Sequence, residues 1–287
     1  MKRALLILGI LSLALGAEAV NSGQAGGGTP VQGNAAGQAA PAPTPAPQVK
    51  RPPQTKTQPE YDAWKAAAGL TDAAAAEKAA DDFAAKFPDS EVRVLLYKNT
   101  MRLYQNANNA EKTEAVGRKV LGLDGDDPEA LVAVAGVIAE RTKDTDIDKD
   151  QRFAEAISMA QKATQTVDTD VSVPAGTPQE KIDAYKAYLR STAYSFIGTI
   201  EYKKDNYPAA QENLQKSIDA DPGNPDPVAV LRLALTFDKE QKYPEALKWA
   251  NRAVEMTQDN TAIGTPARRE RDRLQQLTGA ATAPPKN

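Results

Sequence analysis

Five acidic residues in the middle of the chain have the spacing of a cation-binding loop. Carboxylates at alternate positions, followed by a glutamate at the twelfth, supply oxygen ligands for calcium in a twelve-residue loop. Such a loop needs glycine at its sixth position for a sharp turn, and this chain has Lys149 there. We therefore interpret the segment as a solvated loop whose aspartates cap the next helix, and keep a metal-binding accessory protein as an alternative. The acidic residues are Asp144, Asp146, Asp148, Asp150 and Glu155.

The chain contains no histidine and no cysteine. Histidine is the commonest general base and metal ligand, and cysteine supplies thiol nucleophiles and zinc ligands. Their absence excludes catalytic triads that contain histidine, Cys/His zinc sites and thiol chemistry. No Ser/Lys dyad or glycine-rich phosphate loop stands out, so we expect a protein that is not an enzyme and has no cofactor. With 35 basic and 38 acidic side chains, the chain lacks the basic excess that nucleic-acid binding requires.

The amino-terminal residues have the three parts of a secretory signal peptide. Lys2 and Arg3 form a positive region, residues 4–15 are apolar, and residues 17–19 read Ala-Glu-Ala, a cleavage motif. The apolar part is too short to cross a hydrocarbon core of about 30 Å permanently. We expect cleavage of residues 1–19, a periplasmic or secreted location, and no stable membrane insertion afterwards.

The remaining chain divides by composition into three parts. Residues 20–59 are rich in glycine, proline and alanine without apolar periodicity, which predicts a disordered arm. Residues 60–278 are almost entirely helix-forming, with proline mostly at the breaks between helical segments. Residues 279–287 predict a disordered tail.

A repeated helix-hairpin pattern lies near the carboxyl end of the chain. The segment Tyr-Pro-Ala-Ala at 207–210 recurs as Tyr-Pro-Glu-Ala at 243–246, which is 36 positions later. Each copy opens a run with apolar residues at helical spacing and follows an apolar segment of helix length. A period in the thirties that contains two helices and a turn indicates a helical solenoid.

These residues resemble the tetratricopeptide repeat (TPR) family. The family's 34-residue repeat has large residues at positions 4, 7, 11 and 24 and small residues at 8, 20 and 27, because small residues let the two helices of a hairpin approach closely. Glu201 departs from the aromatic expected at position 11. The matching residues are Tyr194, Ile197, Gly198, Ala210, Leu214, Ser217 and Pro222 when Ser191 is position 1, and Val230, Leu233, Ala234, Phe237, Ala246, Ala250 and Ala253 when Pro227 is position 1.

The resemblance implies an all-α, right-handed superhelical solenoid of about five antiparallel hairpins and a capping helix. The capping helix is expected from Arg268 to Leu277, with its arginines on a solvated face. Two insertions depart from the repeat length. The first lies between Gly136 and Ala156, and the second, between Ala163 and Gly198, is expected to form a loop at 168–177 and to lengthen the helix that begins near Pro178.

The resemblance also implies a binding face. In this family, positions 2, 5, 9, 12 and 13 face a concave groove that binds a peptide or protein segment, so we expect an interaction scaffold with Tyr202 and Leu235 as apolar anchors. An alternative is an accessory factor for outer-membrane or cell-wall assembly. The clustered Lys/Arg that captures a C-terminal carboxylate in chaperone-binding TPR domains is lacking. The expected groove residues are Thr192, Ser195, Thr199, Tyr202 and Lys203, then Val228, Leu231, Leu235, Asp238 and Lys239.

Overall fold

The computed structural model describes residues 50–174 and 176–282, with side chains described as far as Gly279. These residues form eleven α-helices and no β-strand, which confirms the all-α class. The helices are α1 (Gln58–Ala68), α2 (Ala73–Lys86), α3 (Arg93–Asn106), α4 (Ala110–Leu123), α5 (Pro128–Arg141), α6 (Lys149–Thr166), α7 (Gln179–Lys203), α8 (Tyr207–Ala220), α9 (Pro227–Lys239), α10 (Tyr243–Glu255) and α11 (Gly264–Thr282).

The ends of the helical region differ from the sequence-based boundaries. Helix α1 begins at Gln58, because Thr57 Oγ1 accepts a hydrogen bond from the Glu60 amide and so caps the helix. Helix α11 continues to Thr282. The predicted signal peptide, the first part of the predicted arm and the end of the predicted tail lie outside the described residues.

Consecutive helices form a solenoid of hairpins. Helices α1 and α2, α3 and α4, α5 and α6, α7 and α8, and α9 and α10 contact one another in pairs, and each pair contacts the next. Helix α11 packs on α10 as the predicted cap. Because each hairpin buries its apolar side chains against its neighbours, the core is a series of clusters along the stack rather than one centre.

The first helices of three hairpins end in the same way. Asn108, Asp205 and Gln241 have φ values of 54°, 57° and 61°, in the left-handed region. The amide that follows each of them donates to the carbonyl five residues earlier, which is the Schellman arrangement that satisfies free carbonyls at a helix end. These amide-to-carbonyl bonds are Asn109 to Tyr104, Asn206 to Glu201 and Lys242 to Phe237, each 2.9 Å long.

Small residues lie where two helices meet closely, as the repeat pattern predicts. A Cβ atom built on Gly198 would be 2.7 Å from Leu214 Cγ, and Ala210 is fully buried. A Cβ atom on Gly136 would be 2.5 Å from the Phe196 ring. The predicted burial of Gly198 and Ala210 is confirmed, and with it the register of the fourth hairpin.

The second insertion has the predicted form. Helix α6 ends at Thr166 and α7 begins at Gln179, so a loop and a longer helix share the additional residues. Helix α7 has 25 residues, whereas α9, the first helix of the next hairpin, has 13. The added turns precede Ser191, the first residue of the repeat pattern. Within the described residues, no helix has both the length and the apolar character to span a bilayer.

Candidate functional site

The first helices of successive hairpins form the face on which the groove was expected. Helices α5 and α7 contact each other, as do α7 and α9. We call this side the A-helix face. Its two parts differ in what their charged side chains contact, and they are described in turn.

In the part formed by α3 and α5, charged side chains form a buried network. Lys98 Nζ lies 2.6 Å from Asp127 Oδ2 and 3.3 Å from Glu129 Oε2. The Arg102 guanidinium donates to both oxygens of Glu129, at 2.5 and 2.6 Å. The side chains of Lys98 and Asp127 are only 5% and 2% exposed. Positions 5 and 9 of this hairpin, when Val94 is position 1, are therefore occupied by contacts within the chain.

The electrostatics of this network follow from its burial and its pairing. Burial disfavours the charge of Glu129, but Arg102 and Lys98 together outweigh that cost and hold the pKa of Glu129 at about 2. Tyr185, on the added turns of α7, lies over the same group, and burial together with the charge of Glu129 raises the pKa of its hydroxyl. The long α7 thus closes the α3–α5 part of the face.

A segment before α1 also lies on this half of the molecule. The Lys50 amide donates to Thr169 O at 2.9 Å, and its ammonium pairs with Asp124 and Asp170. The Arg51 guanidinium pairs with Glu91 at 2.8 Å. Residues 50–57 were expected in the disordered arm, and these ion pairs and hydrogen bonds explain why they lie along the loops between hairpins instead. We call residues 50–57 the strap.

In the part formed by α7 and α9, three of the predicted groove residues are buried. Ser195, Thr199 and Leu231 are 3%, 3% and 6% exposed, so they do not form an open surface. Thr199 Oγ1 donates to the Ser195 carbonyl at 2.7 Å. The prediction that these three residues line an open groove is wrong, because they are buried by packing within the chain, as where Leu231 contacts the cluster of Ala253 and Ala267 on α10 and α11. Thr192 is half-buried, and its hydroxyl donates to the Tyr188 carbonyl.

Lys203 also differs from its predicted place in the groove. Its ammonium donates to the Ala139 carbonyl at 2.6 Å and to the Thr142 carbonyl at 3.3 Å, at the end of α5. It lies 5.7 Å from the centre of the Phe153 ring. Burial and the nearby charge of Arg232 lower the pKa of Lys203. Lys203 thus caps the carboxyl end of α5, and these hydrogen bonds explain the orientation of its side chain.

The predicted anchors remain accessible. Tyr202 and Leu235 are both half-buried, on the adjacent helices α7 and α9. The Tyr202 ring meets the Tyr207 ring edge to face, with 5.9 Å between centres. Burial, followed by the charges of Asp238 and Glu270, raises the pKa of the Tyr202 hydroxyl. Val228 is half-buried on the same helix as Leu235.

Asp238 and Lys239, at the end of α9, have different surroundings. Asp238 forms an ion pair with Arg273 of α11 at 2.6 Å, and Arg273 also pairs with Glu270. Lys239 is exposed. Because Arg268 and Arg271 also pair with acidic residues of their own region, the arginines of α11 mainly fasten the cap.

Arg232 is a component of this face that the repeat pattern missed. It lies at position 6 of its hairpin, outside the groove positions that the family resemblance supplied. Its Nη1 donates to Thr199 Oγ1 at 2.8 Å. No carboxylate of the described residues lies within 4.0 Å of the Arg232 guanidinium, the distance that defines an ion pair. Burial lowers the pKa of Arg232, and Glu140 and Tyr202 offset only part of this effect.

The acidic insertion does not assemble a cation site in the described residues. Asp144 and Asp148 are exposed in the loop between α5 and α6, whereas Asp150 lies in the first turn of α6. Glu155 points away to pair with Arg118 of α4 at 2.6 Å. Nowhere in the described ranges are three or more acidic side chains placed to hold a metal ion. Asp146 accepts from the Lys143 amide, which orders the loop without a metal.

Comparison with known proteins places the fold. No protein-family profile matches the chain, and no curated protein matches it by sequence. Among solved structures, the Cut9–Hcn1 complex of the APC/C aligns with a TM-score of 0.50 and 15% identity, over 76% of this chain and 37% of that chain. The fold is that of a TPR protein.

Two further neighbours align over most of their own length. YrrB, a TPR protein with an unusual peptide-binding site, aligns over 71% of this chain and 87% of that chain, with 17% identity and a TM-score of 0.46. TTC0263, a TPR protein of Thermus thermophilus, aligns over 76% of this chain and all of its own, with 11% identity and a TM-score of 0.45. At these identities the likeness concerns the fold alone.

Proposed function

We propose that this TPR-fold protein is a non-catalytic interaction scaffold that binds a peptide or protein segment between α7 and α9. The observation that carries the proposal is the contrast between the two parts of the A-helix face. The α3–α5 part is closed by its own ion network and by Tyr185. In the α7–α9 part, Tyr202 and Leu235 are half-buried on adjacent helices, so part of each side chain stays accessible to an extended partner segment.

The proposed site has the composition of a peptide anchor. Tyr202 offers a rigid ring with a polar tip, and Leu235 offers an aliphatic side chain one hairpin further on. Aromatic anchors of this type contribute most of the binding free energy at many interfaces. The nearby charge of Arg232 adds a polar partner that can fix the register of the bound segment.

The test is to measure how tightly a captured partner binds to matched tyrosine variants of the full chain. Tyr202→Ala should weaken binding by about 2 kcal/mol without unfolding the protein. Tyr61→Ala is the control, because Tyr61 is also half-buried and also has an aromatic neighbour at 5.9 Å, Trp64. Equal loss with both variants would contradict the proposed site.

A third variant separates the groove from the acidic insertion. Replacing Asp144, Asp146, Asp148 and Asp150 by asparagine should affect binding less than Tyr202→Ala does. If the partner binds normally to Tyr202→Ala and is lost when these aspartates are neutralised, the insertion is the functional element.

We further propose that the protein acts outside the cytoplasm, in the periplasm or in the secreted space. The support is the pattern of Lys2, Arg3, the apolar residues 4–15 and the Ala-Glu-Ala motif at 17–19. Amino-terminal sequencing of the protein from its native host should then begin at Val20. Full-length protein recovered from washed membranes would contradict this proposal.

A further inference from the structure

The Arg232 guanidinium is the least satisfied charged group on the α7–α9 part of the face. A guanidinium has five N–H donors, and the described residues supply one hydrogen-bond acceptor, Thr199 Oγ1 at 2.8 Å. Arg102, on the α3–α5 part, instead holds both oxygens of Glu129. Leaving a largely buried charge without a counter-charge is costly, whereas a carboxylate in bidentate contact offsets that cost.

The surroundings of Arg232 add to its positive potential. Lys203 is close enough for each cation to disfavour the other, and its ammonium contacts carbonyl oxygens rather than a carboxylate. Two acidic side chains partly offset the lowering of these pKa values: Glu140 acts on both Lys203 and Arg232, and Asp144 acts on Lys203. Glu140 is exposed at the end of α5, and Asp144 lies 3.7 Å from Lys149. Neither forms an ion pair with Lys203 or Arg232.

We propose that Arg232 binds the carboxylate of an aspartate or glutamate side chain within the partner segment. Tyr202 and Leu235 then contact an apolar residue next to that acidic residue. This inference rests on the proposed function and names the chemistry that the face selects. Tyr202 lies close enough to Arg232 for the two side chains to interact electrostatically, so one bound segment can contact both.

The test starts from peptides rather than from an unknown partner. Random twelve-residue peptides, displayed with linkers at both ends so that no free carboxyl terminus is present, are selected on the full chain. Selected sequences are synthesised with amidated ends and a fluorescent label. Their affinities are measured by anisotropy for wild type, Tyr202→Ala, Arg232→Met and Arg232→Lys. Arg252→Met on α10 is the control, because Arg252 is exposed and its ion pair within the described residues is with Glu255, three residues along its own helix.

The selected peptides should share an acidic position. Replacing that residue by its amide should weaken binding to wild type and to Arg252→Met by about 10- to 100-fold. The same replacement should have little effect on Arg232→Met, so that the two changes are strongly coupled. Arg232→Lys should retain part of the preference, which shows that a loss in Arg232→Met is not due to misfolding.

The opposing outcomes are distinct. Selected peptides without an acidic position, or an acid-to-amide change that weakens wild type and Arg232→Met equally, would overturn this inference. If such peptides nevertheless bind Tyr202→Ala more weakly than wild type, the proposed function stands. Failure to select any peptide, or peptides indifferent to both Tyr202→Ala and Arg232→Met, would overturn both. A free carboxyl terminus that restores affinity to an amide-substituted peptide would show that a terminal carboxylate, not a side chain, is the ligand.

Discussion

The two parts of the A-helix face use cationic side chains in opposite ways. On α3, Lys98 and Arg102 point at Asp127 and Glu129 and are neutralised within the chain. On α7 and α9, Lys203 and Arg232 contact oxygen atoms of carbonyl and hydroxyl groups and no carboxylate of the described residues. Both arrangements join neighbouring hairpins, but the first pairs its cations with carboxylates whereas the second does not.

The comparison shows how one solenoid can contain both a fixed and an open section. Each hairpin contacts only its neighbours, so a local change on one first helix alters the face there without altering the fold elsewhere. The strap and the added turns of α7 close the amino-terminal section. Towards the carboxyl end the helices return to ordinary length, and the face between Tyr202 and Leu235 stays accessible. Four variants or conditions test this difference, from the largest expected effect to the smallest.

The largest effect is expected from removing Glu129. Glu129→Ala leaves Lys98 with one buried partner and Arg102 with none among the described carboxylates, and breaking a buried ion pair in this way costs about 3–5 kcal/mol. Urea unfolding followed by circular dichroism measures the loss. Glu155→Ala is the matched control, because Glu155 forms a half-exposed pair with Arg118 and should cost at most about 1 kcal/mol. Equal losses would mean that the buried Glu129 network stabilises the protein no more than a half-exposed ion pair does.

Acidification should affect the same section next. The pKa of Glu129 in the folded protein is about 2, below its value in the unfolded chain. Its contribution to stability is therefore complete above the unfolded value and is lost as the pH falls towards 2. The free energy of unfolding of wild type should fall more steeply between about pH 5 and pH 2 than that of Glu129→Gln. Burial raises the pKa of Asp127, which acts in the opposite direction, but Asp127 is present in both proteins. Parallel curves for the two proteins would therefore contradict the role of Glu129.

An intermediate effect is expected from filling the close contact in the fourth hairpin. Gly198→Leu inserts a side chain where even a Cβ atom would be 2.7 Å from Leu214, and overpacking of this kind costs about 1–3 kcal/mol or more. Gly122→Leu on α4 is the control, because beyond the local backbone no atom of the described residues lies within 4 Å of a Cβ atom there. An unchanged melting temperature for Gly198→Leu would show that the register of α7 against α8 is wrong, and with it the assignment of Tyr202 to the open face.

The sequence predicts the hairpins better than it predicts the face. Small residues such as Gly198 mark the close approach of two helices, which any repeat of this type needs, so their burial follows from spacing alone. The burial of Ser195 and Leu231 depends on tertiary packing, such as that of Leu231 with Ala253 and Ala267 of α10 and α11, which the repeat positions do not encode. The direction of Lys203 depends on the free carbonyls of α5, two helices earlier in the chain.

Arg232 and the strap were missed for related reasons. The repeat pattern assigns the groove to fixed positions, and Arg232 lies between them. A signal was present, since Arg232 is a single cation within the apolar segment 228–235. The strap has the composition of the disordered arm, and its contacts with Glu91, Asp124 and Thr169 join parts of the chain that are far apart in sequence.

The smallest effect is expected from Arg232 itself, and it gives the sharpest form of the comparison. Arg232→Met keeps an apolar stem of similar length and removes a charge that has one hydrogen bond and no carboxylate partner among the described residues. The free energy of unfolding should therefore change by less than about 1 kcal/mol, or increase, because the desolvation cost of the charge is removed. Arg102→Met removes a guanidinium that binds both oxygens of Glu129 and leaves that buried carboxylate with Lys98 as its remaining cationic partner among the described residues, so it should destabilise the protein clearly. Urea unfolding of the two variants under one buffer decides the matter: a loss for Arg232→Met as large as that for Arg102→Met would mean that Arg232 stabilises the stack and is not held in place for a partner.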